Sequence, residues 1–406
     1  MVFLSASILS FLLNLMPSSM GSVAENEPMC STSQSTMESD CSANLHQAYT
    51  ESSNEYIRAY LKAKNDYGNY SCSGYKCYLD VIKQDLKPFS QGIDKKMIEL
   101  TIPKGVKYII MDGRVYREKD CLFPSRCEGV DYFLNSIKEH IPNTQLVINF
   151  HDWPQVNKHF NQLLPVFSFS KTDEFFDIMY PAWSFWKGGP ALSLYPKGIG
   201  RWDEFYEKLV QKSKIWTWNK KKNLGFFIGS RTSSERDHLI LLSRGHPELV
   251  EAKYTKNQAW KSIKDTLNEP PSKEVPLEEH CHYKYLFNFR GVAASFRFKF
   301  LFLCKSVVVN VGNEWDEFFY RGLKPWYHYI PMNKDDSQEQ YKSLLLFLIQ
   351  EDEIAQEIAN RGFDFIFNNL KMQDVKDYWK ELLVQYTKLL KFKPKLDKDL
   401  VDVTTP

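Results

Sequence analysis

The stretch Asn223–Arg244, NLGFFIGSRTSSERDHLILLSR, decides the fold class. Asn223 to Gly229 is a short apolar run, the pattern of a buried strand. Ser230 to Asp237 contains no apolar residue, so the chain turns there. Leu239 to Leu242 restore apolar character and predict a helix. Thr232 and Glu235 stand at capping-box spacing, which places the helix start inside the turn. The same order returns downstream. YKYLFNF (283–289) predicts a strand, RGVAA a turn, SFRFKFLFLC (295–304) a helix, and SVVVNV and YHYIP two further strands. Repeated strand, turn and helix predict a parallel sheet.

Upstream, the pattern is similar but less regular. SNEYIRAYLKAKNDY (53–67) and GVDYFLNSIKEHI (129–141) predict helices. KYIIMDGRVYRE predicts a hairpin turning at Asp112-Gly113, and PVFSFSKT a strand. LVINFHDWPQV (146–156) predicts a strand whose end carries His151 and Asp152 before Pro154 stops it. A histidine beside an acid at a strand end fits a catalytic pair. It equally fits a polar strand end facing water. The Gly-, Pro- and Trp-rich segment 179–202 predicts a long ordered loop, and such loops are usually functional. Residues 338–392 have helical apolar spacing. Two α/β units with C-terminal helices predict paired Rossmann-like domains facing a cleft, the helices returning to the first domain.

Composition bounds the rest. The 406 residues are 43% hydrophobic and 15% aromatic, with a net charge of +2. Neither bulk nucleic-acid binding nor a polybasic membrane patch is indicated. Residues 1–24 predict a secretory signal: an apolar run from Phe3 to Met16, then small residues to Ala24. No Lys or Arg precedes that run, and it is short for a spanning helix, which needs roughly 20 apolar residues. Residues 25–50 predict a polar leader. Eight cysteines behind a signal point to disulfides in an oxidising lumen. Cys72 with Cys77, and Cys121 with Cys127, are spaced for small loops. Cys281 is assigned to Cys304 in preference to a metal site built on HCHY (280–283). Asn69-Tyr70-Ser71 is a glycosylation sequon.

The candidate chemistry lies at the two downstream turns. Gly229 permits close approach to the backbone. Helix starts offer free N–H groups for an anion, and Arg231 and Arg236 add guanidinium donors. The second turn supplies Arg290, small residues, Ser295 and Arg297. Ligands of open parallel sheets lie beyond the carboxyl ends of the strands, where both turns could meet one diphosphate. Capped helices with solvated arginines fit the same spacing. No P-loop, G-x-S-x-G or H-E-x-x-H motif is present. Asp397-Lys398-Asp399 resembles a metal-nucleotide D-x-D but lies in a charged tail.

DCLFPSRCEGVDYF, PVFSFSKTDEFFDIMYPAWSFW, GSRTSSERDHLILLSR, YTKNQAWKS and YLFNFRGVAASFRFKFLFLC together resemble the Rumi-type protein O-glucosyltransferases, within the capsule- and lipopolysaccharide-modifying transferases. The resemblance spans about 50–390. It implies a GT-B fold, with an acceptor domain over 51–218, a UDP-sugar domain over 219–365, and C-terminal helices and tail over 366–406. It implies an inverting, metal-independent enzyme of the endoplasmic reticulum lumen, with no cofactor. Such an enzyme moves glucose from UDP-glucose to a serine in C-x-S-x-[PA]-C of folded EGF-like repeats, Notch-type receptors being the usual clients. UDP-xylose is an alternative donor, and a non-catalytic EGF-domain chaperone the alternative of another class. Carried over by motif, Asp152 is the base. Tyr195, Ser230, Arg236, Val292, Ala293, Ala294, Ser295, Phe296 and Arg297 hold the UDP-sugar. Leu122, Phe123, Pro124, Ser125 and Arg126, with Ala191, Leu192, Ser193, Leu194, Tyr195 and Pro196, touch the acceptor. Three departures from the family are visible: His151 where an Arg commonly precedes the Asp, VTTP where a KDEL-like tetrapeptide commonly stands, and Lys376 where a Cys is expected.

Overall fold

The computed structural model describes residues 54–189, 194, 195, 198–257 and 259–405. The expected signal and leader, Cys30, Cys41, Ala191, Leu192, Ser193 and Pro196 lie outside the described residues. Helix α1 spans 54–67, as its sequence predicts. Helices α2 (Leu79–Leu86) and α3 (Lys95–Thr101) lead to the first sheet. Strands β1 (Val106–Met111) and β2 (Arg114–Glu118) form the expected hairpin. Both turn residues, Asp112 and Gly113, have positive φ (50° and 71°), which a primed turn requires.

Helix α4 (Pro124–Ile137) begins five residues before its expected start, because Pro124 pre-sets the first helical φ. Pro124, Ser125 and Arg126 therefore occupy a helical first turn rather than a free loop. Strand β3 (Thr144–Ile148) follows, then β4 (Val166–Ser168), β5 (Ser170–Lys171) and β6 (Ile178–Met179). The expected strand PVFSFSKT is thus split at Phe169. From β2 the sheet runs β2-β1-β3-β4-β6. β1 is antiparallel to both neighbours, and β3, β4 and β6 are parallel.

Helix α5 (Trp202–Ile215) carries the chain onward to β7 (Lys222–Ser230), α6 (Asp237–Gly245), β8 (Val250–Thr255), β9 (Tyr283–Phe289), α7 (Phe298–Phe302), β10 (Val307–Val311), β11 (Asp316–Glu317) and β12 (Ile330–Met332). The second sheet has the order β12-β10-β9-β7-β8, and every pair in it is parallel. From β7 the chain moves first to one side, to β8, and then to the other, to β9. That reversal puts a topological switch point between β7 and β9.

Two expected elements shrink. The helix foreseen over 295–304 is only the five residues of α7. Ser295 Oγ donates to Asn288 Oδ1 (2.6 Å) and Arg297 Nη1 to Ile228 O (2.7 Å), holding these residues to strands rather than to a helix. The strand foreseen at Tyr327 begins at Ile330, because Trp326 has a positive φ of 60° and the chain turns there.

Alternation with period two divides the core. Phe227, Tyr285, Phe287, Val307 and Val309 face α6 and α8 (Gln338–Gln350). Phe226, Ile228, Leu286 and Val308 join one cluster with the first sheet. After α9 (Asp352–Asn369), α10 (Met372–Thr387) returns to the first half, as expected. Trp379 packs on Phe133 and Tyr180, and Tyr386 on Phe167. Strand β13 (Leu400–Asp402) then adds antiparallel to β2 as an edge. β5 pairs with β11, a short ribbon joining segments of the two halves. Nearby, Lys171 forms a buried ion pair with Asp85 at 2.5 Å.

The disulfides Cys72–Cys77, Cys121–Cys127 and Cys281–Cys304 are all formed. Beneath the last, the buried Lys221 ammonium donates to Cys281 O (2.6 Å) and Cys304 O (2.8 Å). Burial pulls its pKa down to about 7. The unfolded chain keeps that proton to a pH of about 10.4. Above pH 7 the unfolded state binds more protons, so stability should rise between about pH 7 and 10. Melting temperature measured at pH 7 and pH 9 should therefore climb more in the parent protein than in Lys221→Met. Equal slopes would refute this role.

Candidate active site

Asp152 stands on the turn that leaves β3, and buried polar groups fix that turn. Asn149 is fully buried. Its Oδ1 accepts the His151 N–H (2.8 Å), and its Nδ2 donates to Trp153 O (2.7 Å) and Ser168 Oγ (3.0 Å). Ser168 Oγ donates to Asp177 Oδ1 at 2.7 Å. The Asp177 carboxylate also accepts the N–H groups of Gln155 and Val156 (2.7 and 2.8 Å). Tyr180 OH donates to Asn149 O at 3.0 Å. A turn held at both ends in this way presents its apex residue in one place.

The Asp152 side chain is 45% exposed and pairs with Arg126, whose Nη1 lies 2.9 Å from Oδ1. His151 turns away and sets its ring edge-on to Phe123 at 5.5 Å. The suspected His-Asp pair is thus replaced by an Arg-Asp pair. Leu122, 72% exposed, projects to solvent. Phe123 stacks on the Arg126 guanidinium. The Ser125 carbonyl lies against Gly188, where an added Cβ would come within 2.8 Å of it. The 121–127 segment and the aromatic loop thus pack together.

The switch point holds a cationic cluster. Arg236 donates to Ser230 O and Arg290 O, tying the ends of β7 and β9 together. Arg297, from the turn after β9, reaches back to β7 at Ile228 O. Both guanidinium groups lie near the Phe227 ring, 5.4 and 5.6 Å from its centroid. Among the described residues, neither has a carboxylate within ion-pair distance. The other two arginines are neutralised, Arg231 by Asp237 and Arg290 by Glu235. Arg231, foreseen as a phosphate donor, is thereby spent. A helical turn does begin inside this segment, at Ser234–Arg236, and runs into α6, but Glu235 is committed to Arg290 and no side chain caps it.

Burial pulls the pKa of Arg236 and of Arg297 down to about 10, and the charge of Arg236 adds to the pull on Arg297. His280, buried beside Arg297, is pushed down to about 3, first by burial and then by that arginine, so it is neutral at physiological pH. Arg236 Nε, Arg297 Nε and His280 Nε2 are buried without a hydrogen-bond partner. A buried cation, Arg236, beside a partly buried one, Arg297, with neither neutralised, forms a candidate site for an anion.

The loop that closes this site is pinned. Ser295 Oγ, Asn288 and Asn310 form a buried hydrogen-bonded row that ends on Gly312 O. Tyr320 OH donates to Ser295 O at 3.1 Å. Val292 is exposed, whereas Ala293 and Ala294 pack against Trp315. Phe296 is partly buried against the main core. Trp315 in turn meets Trp153 edge-on, with ring centroids 4.9 Å apart. The residue after Asp152 therefore touches the support of the 292–297 loop. Tyr195 accepts the Leu277 N–H at 3.3 Å, near His280, and Leu194 lies beside Glu274.

Sequence reasoning missed Trp153, Trp315 and the Asn149–Asp177 clamp. Asn149, a polar residue inside the run LVINF, was the one available signal. The remaining candidates resolve plainly. Asn69 is exposed in a turn. In HCHY, Cys281 is disulfide-bonded and His282 pairs with Glu279. Asp397 pairs with Lys107. Lys376 lies over the Tyr132 ring. No group of three His, Cys, Asp or Glu among the described residues could hold a metal ion, and no described helix is long and apolar enough to cross a membrane.

Comparison with known proteins shows the family. A model of glycosyl transferase family 90 matches residues 69–406. The chain is 50% identical over 403 residues to the O-glucosyltransferase rumi homolog of Aedes aegypti, covering 99% of this chain and 98% of that one. It is 50% identical over 385 residues to O-glucosyltransferase rumi of Drosophila melanogaster, covering 93% of each. It is 54% identical over 340 residues to protein O-glucosyltransferase 1 of Homo sapiens, covering 83% of this chain and 86% of that one. With two α/β halves, a carboxylate on one and a cationic strand-end site on the other, the chain belongs to glycosyl transferase family 90.

Proposed function

We propose that this glycosyltransferase moves glucose from UDP-glucose to a serine hydroxyl in C-x-S-x-[PA]-C of folded EGF-like repeats, such as those of Notch-type receptors. One arrangement carries the reading: the turn of the half-exposed Asp152 carboxylate is joined through Trp153 and Trp315 to the loop that leads to Arg297, and among the described residues neither Arg297 nor its buried neighbour Arg236 has a carboxylate partner. The names of the relatives supply the donor sugar and the protein acceptor class.

The chemistry follows from those groups. The serine oxygen attacks the anomeric carbon while its proton passes to the Asp152 carboxylate. The bond from that carbon to the β-phosphate oxygen breaks, and the electron pair leaves with UDP. Attack opposite the leaving group inverts the anomeric centre. Arg236 and Arg297, desolvated and already in place, stabilise the growing phosphate charge, which is the part a divalent metal plays in other transferases. Ser230 and the 292–297 backbone line the same strand ends. The three disulfides and the predicted signal support residence in the endoplasmic reticulum lumen.

The test is transfer of radiolabel from UDP-glucose to one folded EGF repeat, with and without EDTA. UDP-xylose and a repeat carrying Ser→Ala at the acceptor position run in parallel. Label on the intact repeat alone, unaffected by chelation, is the expected result. Loss of transfer with EDTA would overturn the metal-independent mechanism. Preference for UDP-xylose would reassign the donor. No transfer from either sugar would leave a binder of EGF repeats.

A further inference from the structure

We infer that Arg126 is a positioning residue for the Asp152 carboxylate, not a residue that grips the acceptor. This rests on the reading of Asp152 as base. Arg126 Nη1 contacts two points of one turn, Phe150 O at 2.5 Å and Asp152 Oδ1 at 2.9 Å. Its guanidinium lies over two rings, 4.4 Å from the Phe123 centroid and 4.5 Å from that of Trp183. The side chain is only 21% exposed. A planar cation held against two rings has lost most of its freedom before any substrate arrives.

Its backbone is fixed as well. The N–H groups of Arg126 and Cys127 both donate to Phe123 O, at 2.9 and 3.2 Å. Cys127 is fully buried and bonded to Cys121, so the disulfide closes the segment on which Phe123 and Arg126 sit. Trp183 comes from the aromatic loop, and its Nε1 donates to Gly188 O at 2.8 Å. Three segments distant in sequence thus converge on one guanidinium whose inner nitrogen is committed to the Asp152 turn. Oδ1 is occupied by that nitrogen. Oδ2 is left as the oxygen that takes the serine proton, at an angle set by the pair.

Four purified variants test this: Arg126→Met, Arg126→Lys, Asp152→Asn, and Arg126→Met combined with Asp152→Asn. Glucose transfer to a folded EGF repeat is measured at saturating UDP-glucose, with UDP affinity measured by calorimetry. Arg126→Met should lower kcat about 30-fold, with acceptor KM and UDP affinity within about threefold of the parent. Arg126→Lys, which keeps one charged donor, should fall between. On the Asp152→Asn background, Arg126→Met should lower the residual rate by less than about twofold, because an effect routed through the carboxylate cannot outlive it. A raised acceptor KM with kcat intact would overturn the inference and return Arg126 to the acceptor surface. An equal loss on both backgrounds would also overturn it. Should Arg126→Met misfold and lose UDP binding, Arg126→Lys decides by the same split of kcat and KM. Full transfer by Asp152→Asn would instead defeat the base assignment itself.

Discussion

Asp152→Asn should lower kcat for glucose transfer by about a thousandfold while leaving UDP affinity within about twofold of the parent. General base catalysis typically contributes about 10²- to 10⁴-fold. The carboxamide keeps the size of the side chain and an oxygen for Arg126 Nη1, so the turn need not move. It has no basic oxygen for the serine proton. The side chain is also half exposed, so the exchange leaves no orphaned buried charge. UDP affinity is spared because the cationic cluster stands on β7, β9 and their turns, whereas Asp152 stands on β3's turn. Transfer at the parent rate by purified, folded Asp152→Asn would remove Asp152 from the chemistry. Loss of UDP affinity in the same variant would mean that the carboxylate supports the donor site.

The second large effect is expected at Arg297. Arg297→Met should raise the donor KM by tens- to about a hundredfold, the range of one lost charge-assisted hydrogen bond at about 1.5–3 kcal/mol. The donor kcat/KM should fall further than UDP affinity, because phosphate charge grows as the sugar bond breaks. The variant should also separate binding from stability. Arg297 is partly buried beside the positive charge of Arg236, and loss of solvent disfavours its charged form. In the ligand-free protein, methionine removes that cost while losing the bond to Ile228 O, so melting temperature should change little. UDP at one fixed concentration should raise the melting temperature of the parent by mass action and that of the variant by markedly less. Equal shifts in the two proteins, or an unchanged donor KM, would show that phosphate binds elsewhere.

Much of the fold was legible because its signals are local. The run from Asn223 to Arg244 shows strand, turn and helix within one window, and Asp112-Gly113 announces its own hairpin. The elements that departed from expectation were settled by distant partners. Nothing in SFRFKFLFLC tells that Ser295 belongs to Asn288 or Arg297 to Ile228, yet those bonds leave only five residues for α7. The site follows the same division. Arginines at strand ends were visible as types. Which of them are free depends on which acid reaches them, so Arg231 and Arg236 look alike in sequence, although only Arg231 has Asp237. The partner of Asp152 was sought next door at His151 and lies 26 positions earlier in the chain.

The return of the chain to its first sheet orders events during synthesis. Domains made on a ribosome generally fold as units, the N-terminal one first. Here the edge strand that covers β2 is made long after it: Arg114 and Asp402, paired across that edge, are separated by 288 positions. Trp379 and Tyr386, which seal the face of the same sheet, also emerge late. The half that carries Asp152 must therefore wait, unfinished, until the half that carries the arginines has been made. A nascent chain halted just past β12 would hold every strand of the second sheet and a first sheet with an open edge and an uncovered face, the kind of surface that chaperones retain.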